Sequence, residues 1–234
     1  MGNPGPHCGE IVKKVRVQQM IAGVLFDMDG VLFDTERLAK EGWTQAAEQL
    51  GLEITEEFLS RLRGTNVADS RVLYKQTFHR DDYDRARAIR LAHSDAVIAR
   101  EGVPMKPGVR ELLETLRQRD IPAALASGTS RDRAMGYLRS TGIDKYFACA
   151  VCGDEVLHAK PDPDIFLRAA RSLRLDPKKC MVVEDSPNGV AAGHAAGCFT
   201  VMVPDLSPST PALAQLYDAC VPSLLDVIPL LDQM

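Results

Sequence analysis

The chain predicts an α/β protein with a parallel sheet, into which an all-helical segment is inserted near the start. Three observations carry that prediction. The run Ala22-Gly23-Val24-Leu25-Phe26 is short, apolar and closed by Asp27-Met28-Asp29-Gly30, which reads as a buried strand meeting a polar loop. Further apolar runs at Pro122–Ala126, Phe147–Val151 and Cys180–Val183 also end in polar loops, each with a helix-start signal behind it. Strand, polar loop and helix in repetition place the loops along one edge of a parallel sheet. Between these parts, Thr35 to Glu101 is rich in Ala, Leu, Glu and Arg at helical spacing and contains no convincing strand.

Taken in order, residues 1–19 fit neither the fold nor a secretory signal. Pro4, Pro6 and Gly9 precede Lys13-Lys14-Val15-Arg16, and no apolar stretch of signal length comes before Met20. We expect a flexible N-terminal extension there, with Met20 an alternative start. The core is expected over 20–34 and 105–234, and a small helical bundle over 35–104. Leu38, Trp43, Ala46, Ala47 and Leu50 mark its first helix, ended by Gly51, and Phe58, Leu59 and Leu62 a second. Val67–Phe78 and Tyr83–Arg100 complete it, with His79 to Asp84 a solvated loop.

After the later strands, Thr129 or Ser130 can cap a helix. Asp162-Pro163 and Ser186-Pro187 each pair an N-cap residue with proline at the first helical position. Gly189, Gly193 and Gly197 recur every four residues beside Ala192 and Ala196, a smooth helix face for close packing on the sheet.

The predicted edge gathers Asp27, Asp29, Ser127, Lys160, Glu184 and Asp185. Carboxylates at strand ends are costly unless they bind a cation or do chemistry, and strand carboxyl ends are where open α/β sheets bind ligands. Mg²⁺, a hard cation that prefers oxygen, would relieve the repulsion. The remaining hydroxyl and ammonium suit a phosphoryl group, and a carboxylate nucleophile can carry phosphoryl transfer through an aspartyl-phosphate.

Asp27-Met28-Asp29-Gly30-Val31-Leu32, Ser127-Gly128-Thr129, Lys160-Pro161-Asp162-Pro163 and Glu184-Asp185-Ser186 resemble, in order, the four motifs of the haloacid dehalogenase superfamily. Within it they are most similar to the β-phosphoglucomutase-like phosphatases, over about Ala22 to Pro204. The resemblance implies a Rossmann-like parallel-sheet core with an inserted α-helical cap that closes over the strand ends. It implies a Mg²⁺-dependent phosphatase in which Asp27 is the nucleophile and Asp29 the general acid and base. Ser127 and the Gly128 N–H would hold the phosphoryl group, and Lys160 would neutralise nucleophile and phosphate. Asp27, the Asp29 carbonyl, Asp185 and Glu184 (directly or through water) would ligate the metal.

Substrate contacts are expected from Gly128, Thr129, Arg63 and Asn188. Arg61 and Arg63 flank Leu62 before Gly64-Thr65-Asn66, where each either grips a hydroxyl-rich or anionic leaving group or ends a helix in solvent. Trp43 stacks on a substrate ring or packs in the core, the second being favoured.

Mutases of the subfamily carry a histidine on the first cap helix and an arginine soon after the cap-loop glycine. The matching positions are Ala39 and Val67, which favours hydrolysis over intramolecular transfer. The alternative remains a β-phosphoglucomutase-type phosphomutase. Asp29 argues against a dehalogenase, and the full set of reactive residues argues against a non-catalytic phosphometabolite-binding module. Sugar phosphates and nucleoside monophosphates are the natural substrates.

A net charge of −4 excludes nonspecific nucleic-acid affinity, and no apolar run reaches membrane-spanning length. Of the six cysteines, Cys149-x-x-Cys152 has redox or zinc spacing. On a strand, however, residues three apart face opposite ways, so neither role is expected, and a cytoplasmic location follows. No exposed apolar stripe stands out, so a monomer or weak homodimer is expected.

Overall fold

The computed structural model describes residues 20–234; the extension expected over 1–19 lies outside them. β1 (Gly23–Phe26) leads into four consecutive helices, α1 (Thr35–Leu50), α2 (Glu56–Leu62), α3 (Val67–Phe78) and α4 (Tyr83–Glu101). Then come α5 (Val109–Gln118), β2 (Ala123–Ser127), α6 (Arg131–Thr141), β3 (Phe147–Cys152), α7 (Asp164–Ser172), β4 (Cys180–Glu184), α8 (Pro187–Ala195), β5 (Phe199–Met202), β6 (Ala219–Cys220) and α9 (Val227–Leu231). Every strand pairing is parallel, in the order β3-β2-β1-β4-β5-β6. β1 is central, flanked by β2 and β4, so the loops after these three strands adjoin.

The central strands are buried on both faces, as helix-covered parallel sheets are. Val24, Phe26, Leu125 and Val183 enter one apolar cluster with α5, while Leu25, Ala124, Ala126 and Val182 enter another with α7. Cys152 joins the first and Cys149 packs against the second, as the strand period requires.

Helices α1–α4 have a core of their own. Trp43, Phe58, Tyr74 and Tyr83 are buried together, with Phe58 edge-on to Phe78 at 4.8 Å between ring centres; Trp43 packs there with its ring 5.9 Å from Phe58. The chain enters and leaves this segment side by side, where Asp34 N–H donates to Pro104 O (2.8 Å) and Lys106 N–H to Leu32 O (2.9 Å).

Several local expectations change in detail. Pro163 is the N-cap of α7, one residue later than expected, while Asp162 still accepts from the Asp164 N–H at 3.0 Å. Ser130 is the N-cap of α6, but its side chain makes no cap bond; Asp154 accepts from the Arg131 N–H instead (3.1 Å). Gly197 lies beyond α8 in the left-handed region, φ +76°. Only Gly189 and Gly193 therefore form the tight helix face. The His79–Asp84 turn is tied down: Arg80 donates to Leu50 O at 2.9 Å and pairs with Asp82. β5 and β6 extend the sheet beyond the four strands foreseen.

Candidate active site

Asp27 follows directly on β1, its N–H bonded to Val183 O of β4 at 3.1 Å. The chain then turns tightly, with Leu32 and Phe33 N–H both donating to Met28 O. Gly30 makes this possible with φ +82°, and a Cβ there would overlap the Asp185 carboxylate. The turn thus brings Asp27, Asp29 and the β4 loop together at the strand ends, where the pattern of runs predicts them.

Lys160 reaches in from the loop after β3. Its ammonium donates to Asp27 Oδ1 at 2.5 Å and Glu184 Oε1 at 2.7 Å, and the side chain is only 1% exposed. Burial pulls its pKa down, but Asp27 and Glu184 outweigh that and hold it above the ordinary lysine value. Asp27 has its pKa pushed up to about 8, chiefly by burial; Lys160 pulls it back, while Glu184 and Asp29 push it further up. Among the described residues, its second carboxylate oxygen has no hydrogen-bond partner.

Asp29 is held by two hydroxyls, Thr35 Oγ1 at 2.5 Å and Thr129 Oγ1 at 2.8 Å. Ser127 is fully buried, its Oγ accepting from the Thr129 N–H at 3.1 Å. Asp185 is buried too, and among the described residues its Oδ2 has no hydrogen-bond partner. Burial first, then Glu184, Glu36, Asp27 and Asp205, raise its pKa well above the ordinary carboxylate value.

Glu184 differs from expectation. Its Oε2 accepts from Asp185 N–H (2.8 Å), Ser186 N–H (2.8 Å) and Ser186 Oγ (3.0 Å), while Oε1 takes Lys160. Both oxygens are thus committed to protein donors, which leaves the residue poorly placed as a direct metal ligand. Among the described residues, no three His, Cys, Asp or Glu side chains form a ready ligand cluster.

A cavity of about 500 Å³ opens above Asp27, Asp29, Gly128, Thr129 and Asp185, walled on the far side by α1–α4. Ala39 and Val67 both line it. Arg61 is exposed. Arg63 lines the cavity and is only 4% exposed, but its guanidinium is already occupied: it donates to Glu56 (2.5 Å), Ser207 Oγ (3.2 Å) and Leu206 O (3.3 Å). Asn188 donates to Arg63 O at 2.9 Å. These two residues, expected on the substrate, instead join the α2–α3 turn to α8 and to the loop after β5. Sequence reasoning missed Thr35, which reads as an ordinary residue at a helix start, and Glu36, raised to about 7 by burial and by Asp29 against the pull of Arg63 and Arg90.

The site defines a class: a parallel α/β enzyme with paired carboxylates and a buried lysine beneath a helical roof. The haloacid dehalogenase-like hydrolase family model matches residues 21–197, and the chain belongs to this family. It is 36% identical over 174 residues to the "Phosphorylated carbohydrates phosphatase" of Thermotoga maritima, covering 74% of this chain and 81% of that protein. It is 32% identical over 220 residues to the "Probable pseudouridine-5'-phosphatase" of Drosophila melanogaster, covering 87% and 93%. Among solved structures, the putative β-phosphoglucomutase of Thermotoga maritima superposes with a TM-score of 0.70 at 31% identity, over 92% of this chain and all of that one. The described residues contain no helix long and apolar enough to cross a membrane.

Proposed function

We propose that this hydrolase is a Mg²⁺-dependent phosphatase that cleaves a small phosphomonoester, a sugar phosphate or nucleoside monophosphate, through an aspartyl-phosphate on Asp27. The observation that carries the reading is the asymmetry of the Asp27 carboxylate. One oxygen is fixed by Lys160, and the other is unbonded in a residue that lines the cavity.

That free oxygen attacks phosphorus, forming the acyl phosphate as the ester P–O bond breaks. Asp29, held by Thr35 and Thr129, acts as the general acid that passes a proton to the leaving oxygen. The same carboxylate then takes a proton from water, which attacks phosphorus, releases phosphate and restores Asp27. Lys160 offsets the negative charge of nucleophile and phosphoryl group. The Ser127 hydroxyl and the Gly128 N–H bind phosphoryl oxygens and prefer the charge spread of the transition state.

The donor set fits a hard cation. Asp185 presents a buried oxygen with no partner among the described residues, and burial opposes ionisation of both Asp27 and Asp185. Those two carboxylates and the Asp29 carbonyl would hold Mg²⁺, with water filling the remaining positions. The bound ion supplies charge neutralisation as one anion approaches another. Glu184 positions Lys160 and the β4 loop. Residues 35–104 act as a cap whose closure excludes bulk water while admitting the one that hydrolyses the intermediate.

A phosphate-release screen across sugar phosphates and nucleoside monophosphates, with and without Mg²⁺, tests the reading. Release that depends on Mg²⁺ and vanishes in Asp27→Asn is expected. Conversion of a sugar 1-phosphate to its 6-phosphate without net release would replace hydrolysis by transfer.

A further inference from the structure

The cavity is lined by five cationic side chains: Lys40, Arg63, Arg87, Arg90 and Arg133. Three are already paired. Lys40 meets Glu56 at 2.8 Å, Arg63 meets Glu56 at 2.5 Å, and Arg133 meets Asp95 at 2.7 Å. Arg87 and Arg90 have neither a hydrogen bond nor an ion pair at their guanidinium groups among the described residues. They stand one turn apart on α4, on one face, and both are half-buried.

The α4 backbone at Arg90 is closely packed. A Cβ at Gly42 would meet the Arg90 carbonyl oxygen at 2.6 Å, so glycine lets α1 press directly on the α4 backbone there. Ser94, also in the cavity wall, donates to the same carbonyl at 3.2 Å. Burial lowers the Arg90 pKa, Glu36 raises it, and the like charge of Arg87 lowers it again. Glu36 offsets part of the repulsion between the two charges without bonding either guanidinium, so their N–H donors stay free, and a planar guanidinium is suited to the paired oxygens of a carboxylate or phosphate.

We propose that Arg87 and Arg90 form a second anion subsite in the roof of the cavity, and that the preferred substrate is a phosphomonoester carrying a further acidic oxyanion group, carboxylate or phosphate, on its leaving group. The proposal rests on the phosphatase reading, whose own test is wild-type hydrolysis of p-nitrophenyl phosphate, a substrate without a second anion.

The subsite is tested by calorimetric binding to full-length Asp27→Asn protein, which turns nothing over. 3-Phosphoglycerate is compared with glycerol 3-phosphate for the carboxylate arm, and fructose 1,6-bisphosphate with fructose 6-phosphate for the phosphate arm. In at least one arm the more acidic member should bind tenfold or more tightly. Adding Arg87→Gln and Arg90→Gln should cut that ratio to about threefold or less while the melting temperature stays unchanged; the arm that responds names the group. Equal binding of acidic and less acidic members in both arms overturns the proposal. So does a preference that survives the double substitution, or a loss that falls equally on both members. Arg87→Gln alone, at a half-exposed position that bonds nothing, keeps the test open if the double variant is unstable.

Discussion

Gly189→Ala is the substitution whose consequences the structure defines most sharply. Gly189 lies in the first turn of α8, over the Glu184 carboxylate, and a Cβ there would overlap Oε1, Cδ and Oε2. A flexible side chain would swing aside cheaply, but Glu184 is bound at four points: Lys160, the Asp185 and Ser186 N–H groups, and the Ser186 hydroxyl. Displacing it breaks one or two charge-assisted bonds, about 1.5–3 kcal/mol each, and overpacking adds about 1–3 kcal/mol. A net loss of about 3–9 kcal/mol follows, roughly 10 °C or more in melting temperature for a chain of this size. Lys160 would lose one of its two carboxylates, so kcat/KM for an aryl phosphate should fall about tenfold or more.

Gly193→Ala is the control one helical turn on. Its Cβ would sit 2.8 Å from Thr200 Oγ1 and 3.1 Å from Val182 Cγ1, far from the reacting groups. It should cost about 1–2 kcal/mol and leave kcat/KM within twofold. Scanning calorimetry and initial rates on both variants decide the matter. A Gly189→Ala protein as stable and active as Gly193→Ala would refute the claim that Glu184 is locked and positions Lys160.

Four further outcomes are expected. Asp27 has its pKa raised from 3.8 to about 8 and Glu36 from 4.5 to about 7; a raised carboxyl pKa means the native state binds protons more tightly than the unfolded chain. Its ionisation therefore destabilises the fold as pH rises from about 4 toward 8. The chelated protein should melt at falling temperature across pH 5–8, and Mg²⁺ should raise the melting temperature more at pH 8 than at pH 6; a flat profile or the reverse order contradicts this. Asp29→Asn should lower kcat about 10²–10⁴-fold, measured with a phosphomonoester whose leaving group needs a proton; a loss below tenfold would remove Asp29 from acid–base duty. Thr35→Val should reduce kcat about tenfold with KM nearly constant, since it frees one side of the Asp29 carboxylate, and an unchanged kcat would show that the hydroxyl does not align the acid. Arg63→Met should cost about 1.5–3 kcal/mol and raise KM by loosening the α2–α3 turn from Ser207 and Leu206, whereas wild-type stability and KM would deny it that linking role.

The parts of the fold legible in the sequence were those with a strong local signature. Apolar runs ending in Asp27, Ser127 and Glu184 marked the three adjacent central strands. Gly51 ended α1, and Val67 and Phe78 bounded α3, helices whose apolar spacing is set by a separate core. Ser186 capped α8 as its identity and Pro187 require, with its Oγ 3.0 Å from the Gly189 N–H. β5 and β6 escaped because Phe199–Met202 carries no terminal motif and β6 is two residues long.

The site was legible where it is made of motif residues close in the chain. It was not legible where partners come from afar: Thr129 meets Asp29 across 100 residues and Arg63 meets Ser207 across 144. Nothing local tells a committed arginine from a free one. Arg63 precedes a glycine loop and reads as a substrate grip, yet it is saturated. Arg87 and Arg90 drew no notice within the helix expected over Tyr83–Arg100, yet among the described residues they line the cavity without a hydrogen bond or ion pair. Glu184 beside Asp185 reads as a second ligand, but the α8 helix start turns it inward toward Lys160.

The central claim is that Asp27 carries the phosphoryl group. Rapid acid quench of the wild-type protein during turnover of a phosphomonoester with Mg²⁺, followed by peptide mass spectrometry, tests it directly. A peptide containing Asp27 should gain one phosphoryl mass that hydroxylamine removes, and the adduct should be absent from Asp27→Asn. A stable adduct on any other residue, or steady turnover by Asp27→Asn, would contradict the account.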